Sequence, residues 1–281
     1  MDGFLLIDKP IGLSSHDVVY QVKKKLHLNK VGHTGTLDPF ASGLLILCVG
    51  KATKLADLFS SLDKKYEGTI IFNKHYDSYD VTGKIVSEKE MELSEQTIKK
   101  VAQSMIGTYE QYPPMFSAIQ INGQRLYDLA RKGIEIDRPA RTVHVYQFNL
   151  GKLNHEEIDF QTHVSKGTYI RSLAVDLAIK LDTYAALKTL RRTTIGNYEV
   201  KNAKSINDIS IDDLITVNTY FKDYKTLALD DYMIRLVKNG IYLDERQIIT
   251  DQPFIVVDKD EHMVAYYIVV EENKYKPAFI F

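Results

Sequence analysis

The chain of 281 residues has one cysteine, Cys48, set inside an apolar run, so no internal disulfide can form and no cysteine cluster suggests structural zinc. A reducing compartment is the expected one. No apolar stretch reaches the ~20 residues of a membrane span, and the N-terminus shows no basic segment followed by an apolar region and a cleavage site. The expected location is therefore the cytoplasm, with no membrane contact. Internal repeats and low-complexity tracts are absent. Net charge is also scarce at -1, but it is unevenly spread. Residues 205–281 hold 8 Lys+Arg against 14 Asp+Glu, whereas residues 1–204 hold 28 against 23. The longer segment is mildly basic, and its clusters Lys23-Lys24-Lys25, Arg131-Lys132 and Arg191-Arg192 either meet phosphates or form solvated faces. A hydrophobic content of 44% is enough for the core of one large domain and a small one.

The stretch Gly32-His33-Thr34-Gly35-Thr36-Leu37-Asp38-Pro39-Phe40-Ala41-Ser42-Gly43 concentrates glycines, a histidine and a carboxylate in a segment too broken for regular structure. Glycines allow close backbone approach, and Pro39 pushes Asp38 out of the helical region, so Asp38 is expected on a stiff turn. The apolar run Leu44 to Val49 reads as a buried strand that would mount this loop at the edge of the core. Taken alone, Asp38-Pro39 reads first as an ordinary turn whose carboxylate caps local amides.

Along the chain, Phe4 to Ile7 reads as a short buried strand, and Ser14 or Ser15 as the cap of a helix with Val18, Val19, Val22 and Leu26 on its apolar face. Lys51 to Leu62 fits a helix with Leu55, Leu58, Phe59 and Leu62 inward. Lys65 to Phe72 has strand composition and leads into the polar stretch His75 to Gly83. A metal site on His75, Asp77 and Asp80 is disfavoured, because a hard cation needs more oxygen ligands and no second His stands at ligand spacing. Ser94 begins a helix carrying Ile98, Val101, Ala102 and Met105 that Gly107 can end. Tyr112-Pro113-Pro114 is a stiff entry to a strand closed by an Asn122-Gly123 turn, and Leu126, Leu129 and Ala130 make a short helix ending near Gly133. Segments 141–149 and 157–164 alternate like paired strands. Thr168 to Leu177 reads as a helix with Arg171 in its first turn, where a cation faces the positive end of the macrodipole and calls for an acidic partner or a ligand. The acidic turn in composition past about residue 205 marks a boundary. A second unit from 228 follows, with a helix around 230–238 and apolar runs at 254–257, 263–270 and 277–281, as in a small mostly β domain.

Several separated motifs, in order, resemble the TruB family of tRNA pseudouridine synthases over most of the first 200 residues. They are Asp8-Lys9-Pro10-Ile11-Gly12, the block Gly32 to Gly43, Lys65-Tyr66, Pro113-Pro114-Met115-Phe116-Ser117-Ala118, Lys166-Gly167-Thr168-Tyr169-Ile170-Arg171 and Leu190-Arg191-Arg192. The resemblance implies an α+β pseudouridine synthase fold, with a long mixed, mainly antiparallel sheet flanked by helices. It further implies a catalytic domain over 1–227 and a small C-terminal PUA-like RNA-binding domain over 228–281. Asp38 would be the essential aspartate, acting on uridine 55 in the T loop of tRNA by base flipping. Arg171 would keep Asp38 ionised and oriented, because an opposite charge at close range favours the carboxylate. Tyr66 would pack on the flipped uracil and assist removal of the C5 proton. Tyr169 and Leu190 would line the pocket, and His33 would support the rearranged T loop. Lys9 and Pro10 would be structural.

The resemblance implies no cofactor and no metal, no obligate protein partner, and a monomer whose partner is the tRNA T stem-loop. Without the motifs, Tyr66 and Tyr169 would read as core-edge packing, Arg171 as a surface ion-pair partner and Leu190 as core. Two departures stand out. Tyr76-Asp77-Ser78-Tyr79-Asp80 replaces the usual Thr-Asp-Thr-x-Asp, keeping both acids but losing the first threonine, and Ser42 stands where threonine is usual. Two rival functions remain: a tRNA-binding or remodelling protein with little or no catalysis, and a nucleoside or glycoside hydrolase, which would usually need a second acid or a metal.

Overall fold

In the computed structural model, which describes residues 1–92, 94–121 and 123–281, a ten-stranded sheet forms the backbone of the larger part of the chain. Its main path runs Ile215–Thr216, Gly3–Lys9, Ser42–Val49, Ala185–Ile195, Lys64–Phe72, Glu157–Val164, Arg141–Asn154 and Gly107–Gln111. Val31–His33 pairs with Ser42–Val49, and Tyr198–Glu199 with Ala185–Ile195. Every pairing is antiparallel except that of Ser42–Val49 with Ala185–Ile195, where Arg191 faces Ser42 and Arg192 faces Gly43. The sheet is thus mixed and mainly antiparallel, as expected.

The two apolar strands Gly3–Lys9 and Ser42–Val49 are covered on both faces. Side chains alternate across a strand, and here Leu5, Ile7, Leu45, Leu47 and Val49 meet Val18, Val19 and Val22 of the helix Ser15–Lys25. The intervening Phe4, Leu44, Ile46 and Cys48 turn to the opposite cluster. Each buried large side chain contributes about 1.5–3 kcal/mol, so a one-residue slip in register would forfeit both cores. Ser14 starts the helix through a capping box with Asp17. The other half of the sheet carries Ile70, Phe72, Val145, Phe148, Phe160 and Leu187 against the helices Glu95–Ser104 and Ile170–Lys180.

The C-terminal part forms a five-stranded sheet in the order Thr226–Ala228, Phe254–Val257, Met263–Glu271, Lys274–Ile280, Leu243–Asp244. Phe254 and Val256 pack on Ile234 and Val237 of the helix Asp231–Lys238, while Ile255 and Val257 join Phe4, Ile46 and Phe59 in one cluster shared with the large sheet. Among the described residues no helix is long and apolar enough to cross a membrane.

Three local expectations are corrected, and one strand was not foreseen. Lys51 to Leu62 is a 3₁₀ segment, Gly50–Leu55, followed by one α turn, Asp57–Ser60. The Thr53 hydroxyl donates to Gly50 O (2.9 Å), and such local bonds compete with a regular helix. Leu55 and Phe59 still point inward. Gly107 does not end the helix before it, which stops at Ser104; with φ of +122° it begins the next strand. The strand expected after Pro114 shrinks to Gln120–Ile121, because Ser117 N turns back to Met115 O and Ser117 O accepts from Tyr127 N. Asn122 of the expected turn lies outside the described residues. Finally, Ala185–Ile195 is a central strand that its charged sequence hid.

Candidate active site

The Gly32–Gly43 loop is held by backbone contacts rather than by regular structure. Ser15 Oγ, buried, donates to Leu37 O (3.0 Å) and accepts from Leu37 N (2.8 Å). Gly12 N donates to Pro39 O (2.7 Å), and Ala41 N closes a turn on Asp38 O (3.1 Å). From the neighbouring strand, Arg192 donates through Nε to Leu44 O (2.8 Å), through Nη2 to Gly35 O (3.2 Å) and through Nη1 to Thr36 O (3.4 Å). Glycine is required at position 43: φ is +108°, and a Cβ there would stand 2.3 Å from Arg192 O. Asp38 therefore projects from a backbone that cannot drift.

Arg171 comes to it from a position 133 residues later, in the first turn of Ile170–Lys180. Its Nε lies 2.9 Å from Asp38 Oδ2 and its Nη2 3.2 Å from Asp38 Oδ1, a two-pronged contact of the kind that fixes carboxylate orientation. The remaining donors reach Ser78 O (2.8 Å) and Phe116 O (2.7 Å), and Nη1 lies 3.6 Å from Asp80 Oδ2. One buried guanidinium thus serves two carboxylates and two carbonyls. The acidic partner that the helix position called for is Asp38, joined by Asp80.

Desolvation in the cleft pushes the Asp38 carboxyl above its ordinary pKa; the Arg171 charge pulls it back, and Asp80 adds to the rise. Arg171 accordingly offsets burial rather than lowering the pKa outright. About a third of the Asp38 side chain stays open, 32%, against 5% for Arg171. That opening faces two cavities. The smaller, of about 270 Å³, is also lined by Tyr66, Tyr169, Arg171 and Leu190; the larger, of about 750 Å³, is walled by Pro39, Phe40, Asp80, Phe116, Tyr127 and Arg131.

Five of the six residues singled out in the sequence, Asp38, Tyr66, Tyr169, Arg171 and Leu190, therefore share one small cavity. His33 does not line it. It ends the strand Val31–His33 with Nδ1 buried and, among the described residues, without a hydrogen-bond partner, and burial, then the Arg192 charge, lowers its pKa, which favours the neutral ring.

One supporting residue, Gln111, carried no readable signal. Gln111, fully buried, accepts from Tyr169 N (2.8 Å) and donates to Tyr169 O (3.2 Å) and Tyr109 Oη (2.7 Å), which in turn donates to Asp176 (3.0 Å). This chain fixes Tyr169 where the helix starts. Lys9 is fully buried, with its ammonium on Pro10 O (2.8 Å) and Leu13 O (2.6 Å), a structural setting; burial lowers its pKa to about 8. Of the basic clusters, Arg192 is buried and Arg191 pairs with Asp8 at 2.8 Å, so neither forms a solvated face.

The residues weighed as a metal site are engaged separately. His75 stacks on Tyr184 (5.4 Å), Asp77 accepts from Lys84 N (2.9 Å) and Asp80 faces Arg171. At the second departure, Ser42 Oγ accepts from Arg191 (3.3 Å), a role that needs only the hydroxyl.

Comparison with known proteins identifies the family. The sequence profile of the TruB family pseudouridylate synthase N-terminal domain matches residues 23–170. The tRNA pseudouridine synthase B of Aster yellows witches'-broom phytoplasma (strain AYWB) is 54% identical over 283 residues, covering 100% of both chains. That of Acholeplasma laidlawii (strain PG-8A) is 48% identical over 281 residues, again covering 100% of both. Among solved structures, a chain of a Cbf5-Nop10-Gar1 complex superposes with a TM-score of 0.72 at 23% identity, covering 96% of this chain and 79% of that one. A chain of the archaeal box H/ACA sRNP Nop10-Cbf5 complex gives 0.65 at 20% identity, covering 99% and 85%. The latter two establish a common fold.

Proposed function

The chain belongs to the TruB family of pseudouridylate synthases, and from that premise we propose that it isomerises uridine 55 in the T loop of tRNA to pseudouridine, with Asp38 as the essential carboxylate. The full-length relatives named tRNA pseudouridine synthase B support tRNA as the substrate. In this reaction the N1–C1′ bond breaks, the uracil turns, C5 joins C1′, and one proton leaves C5 while one is gained at N1. Nothing is added or lost, so the balance requires no cofactor.

The observation that carries the reading is Asp38 itself: gripped at both oxygens by Arg171, yet one-third open to a cavity scaled for a single nucleotide. An oriented carboxylate can attack a sugar or base carbon, or take a sugar proton. The reacting atoms are inaccessible in a stacked loop, so the uridine must be swung out at a cost of a few kcal/mol. Tyr66 and Tyr169, with Leu190, supply the apolar walls that repay it, and the Tyr66 hydroxyl assists loss of the C5 proton. His33, neutral and flat, supports the rearranged T loop from just outside the cavity.

The remaining parts follow the same reading. Residues 1–227 form the catalytic domain, and 228–281 a small PUA-like domain that binds RNA. The enzyme works in the cytoplasm as a monomer without an obligate protein partner. Incubating the protein with unmodified tRNA transcript tests this. Base-resolved mapping should find pseudouridine at position 55; tight binding without product would favour a remodelling protein, and release of free uracil a hydrolase.

A further inference from the structure

The small cavity is lined by two cations that form no ion pair among the described residues. Lys64 and Arg192 both line it, and they are 9% and 2% exposed. Their neighbours are already matched: Arg171 with Asp38 and Asp80, and Arg191 with Asp8. Lys64 and Arg192, by contrast, form no ion pair among the described residues. Lys64 Nζ donates to Ser60 O (2.6 Å) and Leu62 O (2.5 Å), and the Arg192 donors go to the carbonyls of Gly35, Thr36 and Leu44. Carbonyls solvate a cation without cancelling its charge. Burying an unpaired charge is unfavourable, and such a charge is retained where a partner arrives from outside. An ammonium has three donors, so Lys64 has one left over.

Charge around the cavity points the same way. Burial, followed by the charge of Arg192, lowers the Lys64 amine to about 8, with Asp63 opposing and Lys166 adding to the fall. The lining also includes Gly167 and Thr168, which lead into the 11-residue helix Ile170–Lys180, whose N-cap residue Tyr169 makes no side-chain capping bond. Helix N-termini favour anions, which adds to the field of the two side chains.

We propose that Lys64 and Arg192 form a phosphodiester subsite that holds a backbone phosphate flanking the extruded uridine, Lys64 by direct contact and Arg192 through its charge. The inference rests on the reading of an RNA nucleotide in this cavity. A swung-out nucleotide brings its phosphates close to the Asp38 carboxylate, which repels them; an uncancelled pair of cations offsets that repulsion. Lys64 is thereby a binding residue, separate from the chemistry at Asp38.

The test is binding of a T stem-loop RNA by the full-length protein over a series of NaCl concentrations. Losing one phosphate contact on a single-stranded segment should reduce the slope of log K against log[salt] by about 0.7. Lys64→Gln should show that reduction with about tenfold weaker binding at fixed salt. Lys64→Arg should keep most of both. A neutral methylphosphonate placed in turn on each side of the target uridine provides the second arm, which needs only wild-type protein if Lys64→Gln fails to fold. One of the two should weaken wild-type binding about tenfold, and cost Lys64→Gln nothing further. An unchanged salt slope in folded Lys64→Gln, or wild-type binding indifferent to both methylphosphonates, would overturn the subsite. Pseudouridine formation by wild-type protein is read separately, so its absence would count against the isomerase reading alone.

Discussion

Replacing Arg171 with lysine keeps the charge and discards the fork. Arg171 makes three hydrogen bonds, to Asp38 Oδ1, Ser78 O and Phe116 O, pairs through Nε with Asp38 Oδ2 and also faces Asp80. A lysine carries its three donors on a single nitrogen and cannot span these positions together. At least one buried carbonyl would lose its partner, at about 1–3 kcal/mol, and one charge-assisted bond to Asp38 would go with it. We therefore expect Arg171→Lys to be less stable by about 2–4 kcal/mol. Activity should suffer more, because a carboxylate free to rotate by an ångström loses on the order of 100-fold in rate. Burial already raises the Asp38 pKa against the pull of Arg171, and the ionised form is the reactive one, so the rate climbs with pH through that pKa. Weakening the pair raises the pKa again and moves the acid limb of the profile to higher pH. Single-turnover pseudouridine formation as a function of pH, with urea unfolding alongside, measures all three quantities. A lysine variant with the wild-type rate and an unmoved acid limb would refute the role given to the fork.

Other substitutions separate binding, chemistry and support. Asp38→Asn should bind tRNA as the wild type does and lose activity, and substantial turnover by filter-binding-competent protein would remove Asp38 from its role. Tyr66→Phe should keep affinity, since the ring remains, and slow the chemical step; an unchanged single-turnover rate would leave the hydroxyl without a part in loss of the C5 proton. Gln111→Leu strips both bonds from the Tyr169 backbone, so kcat should fall by about tenfold or more while tRNA affinity changes little, as titration and initial rates would show. Gly43→Ala forces a Cβ to within 2.3 Å of Arg192 O at φ of +108°, and calorimetry should report a loss of about 3 kcal/mol or more, or no folded protein.

The parts of the fold that were legible are those where one local pattern decides the outcome. The runs Phe4 to Ile7 and Leu44 to Val49 are apolar at every position because helices or strands cover both faces, and Ser14 announces its helix by a local capping box. The strand Ala185–Ile195 was illegible because its polar positions are spent on particular partners: Lys188 on Glu157, Arg191 on Asp8, Arg192 on backbone carbonyls. Register shifts after Leu187 and Arg192 break the alternation as well. The site divides in the same manner. Arg171 could be suspected because a cation in a first helical turn is locally unfavourable, and Asp38 because proline and glycines stiffen its loop. Gln111 holds the Tyr169 main chain and Lys64 is anchored on the carbonyls of Ser60 and Leu62, groups any sequence possesses, so nothing in the residue pattern marks either.

The central claim is that the carboxylate at position 38 drives rearrangement of one uridine in bound tRNA. Quantitative pseudouridine mapping of an unmodified tRNA transcript, after incubation with wild-type and Asp38→Asn protein at equal occupancy, tests it most directly. The account predicts near-complete conversion at position 55 by the wild type and none by the variant. Conversion by both, or by neither while both remain bound, would contradict it.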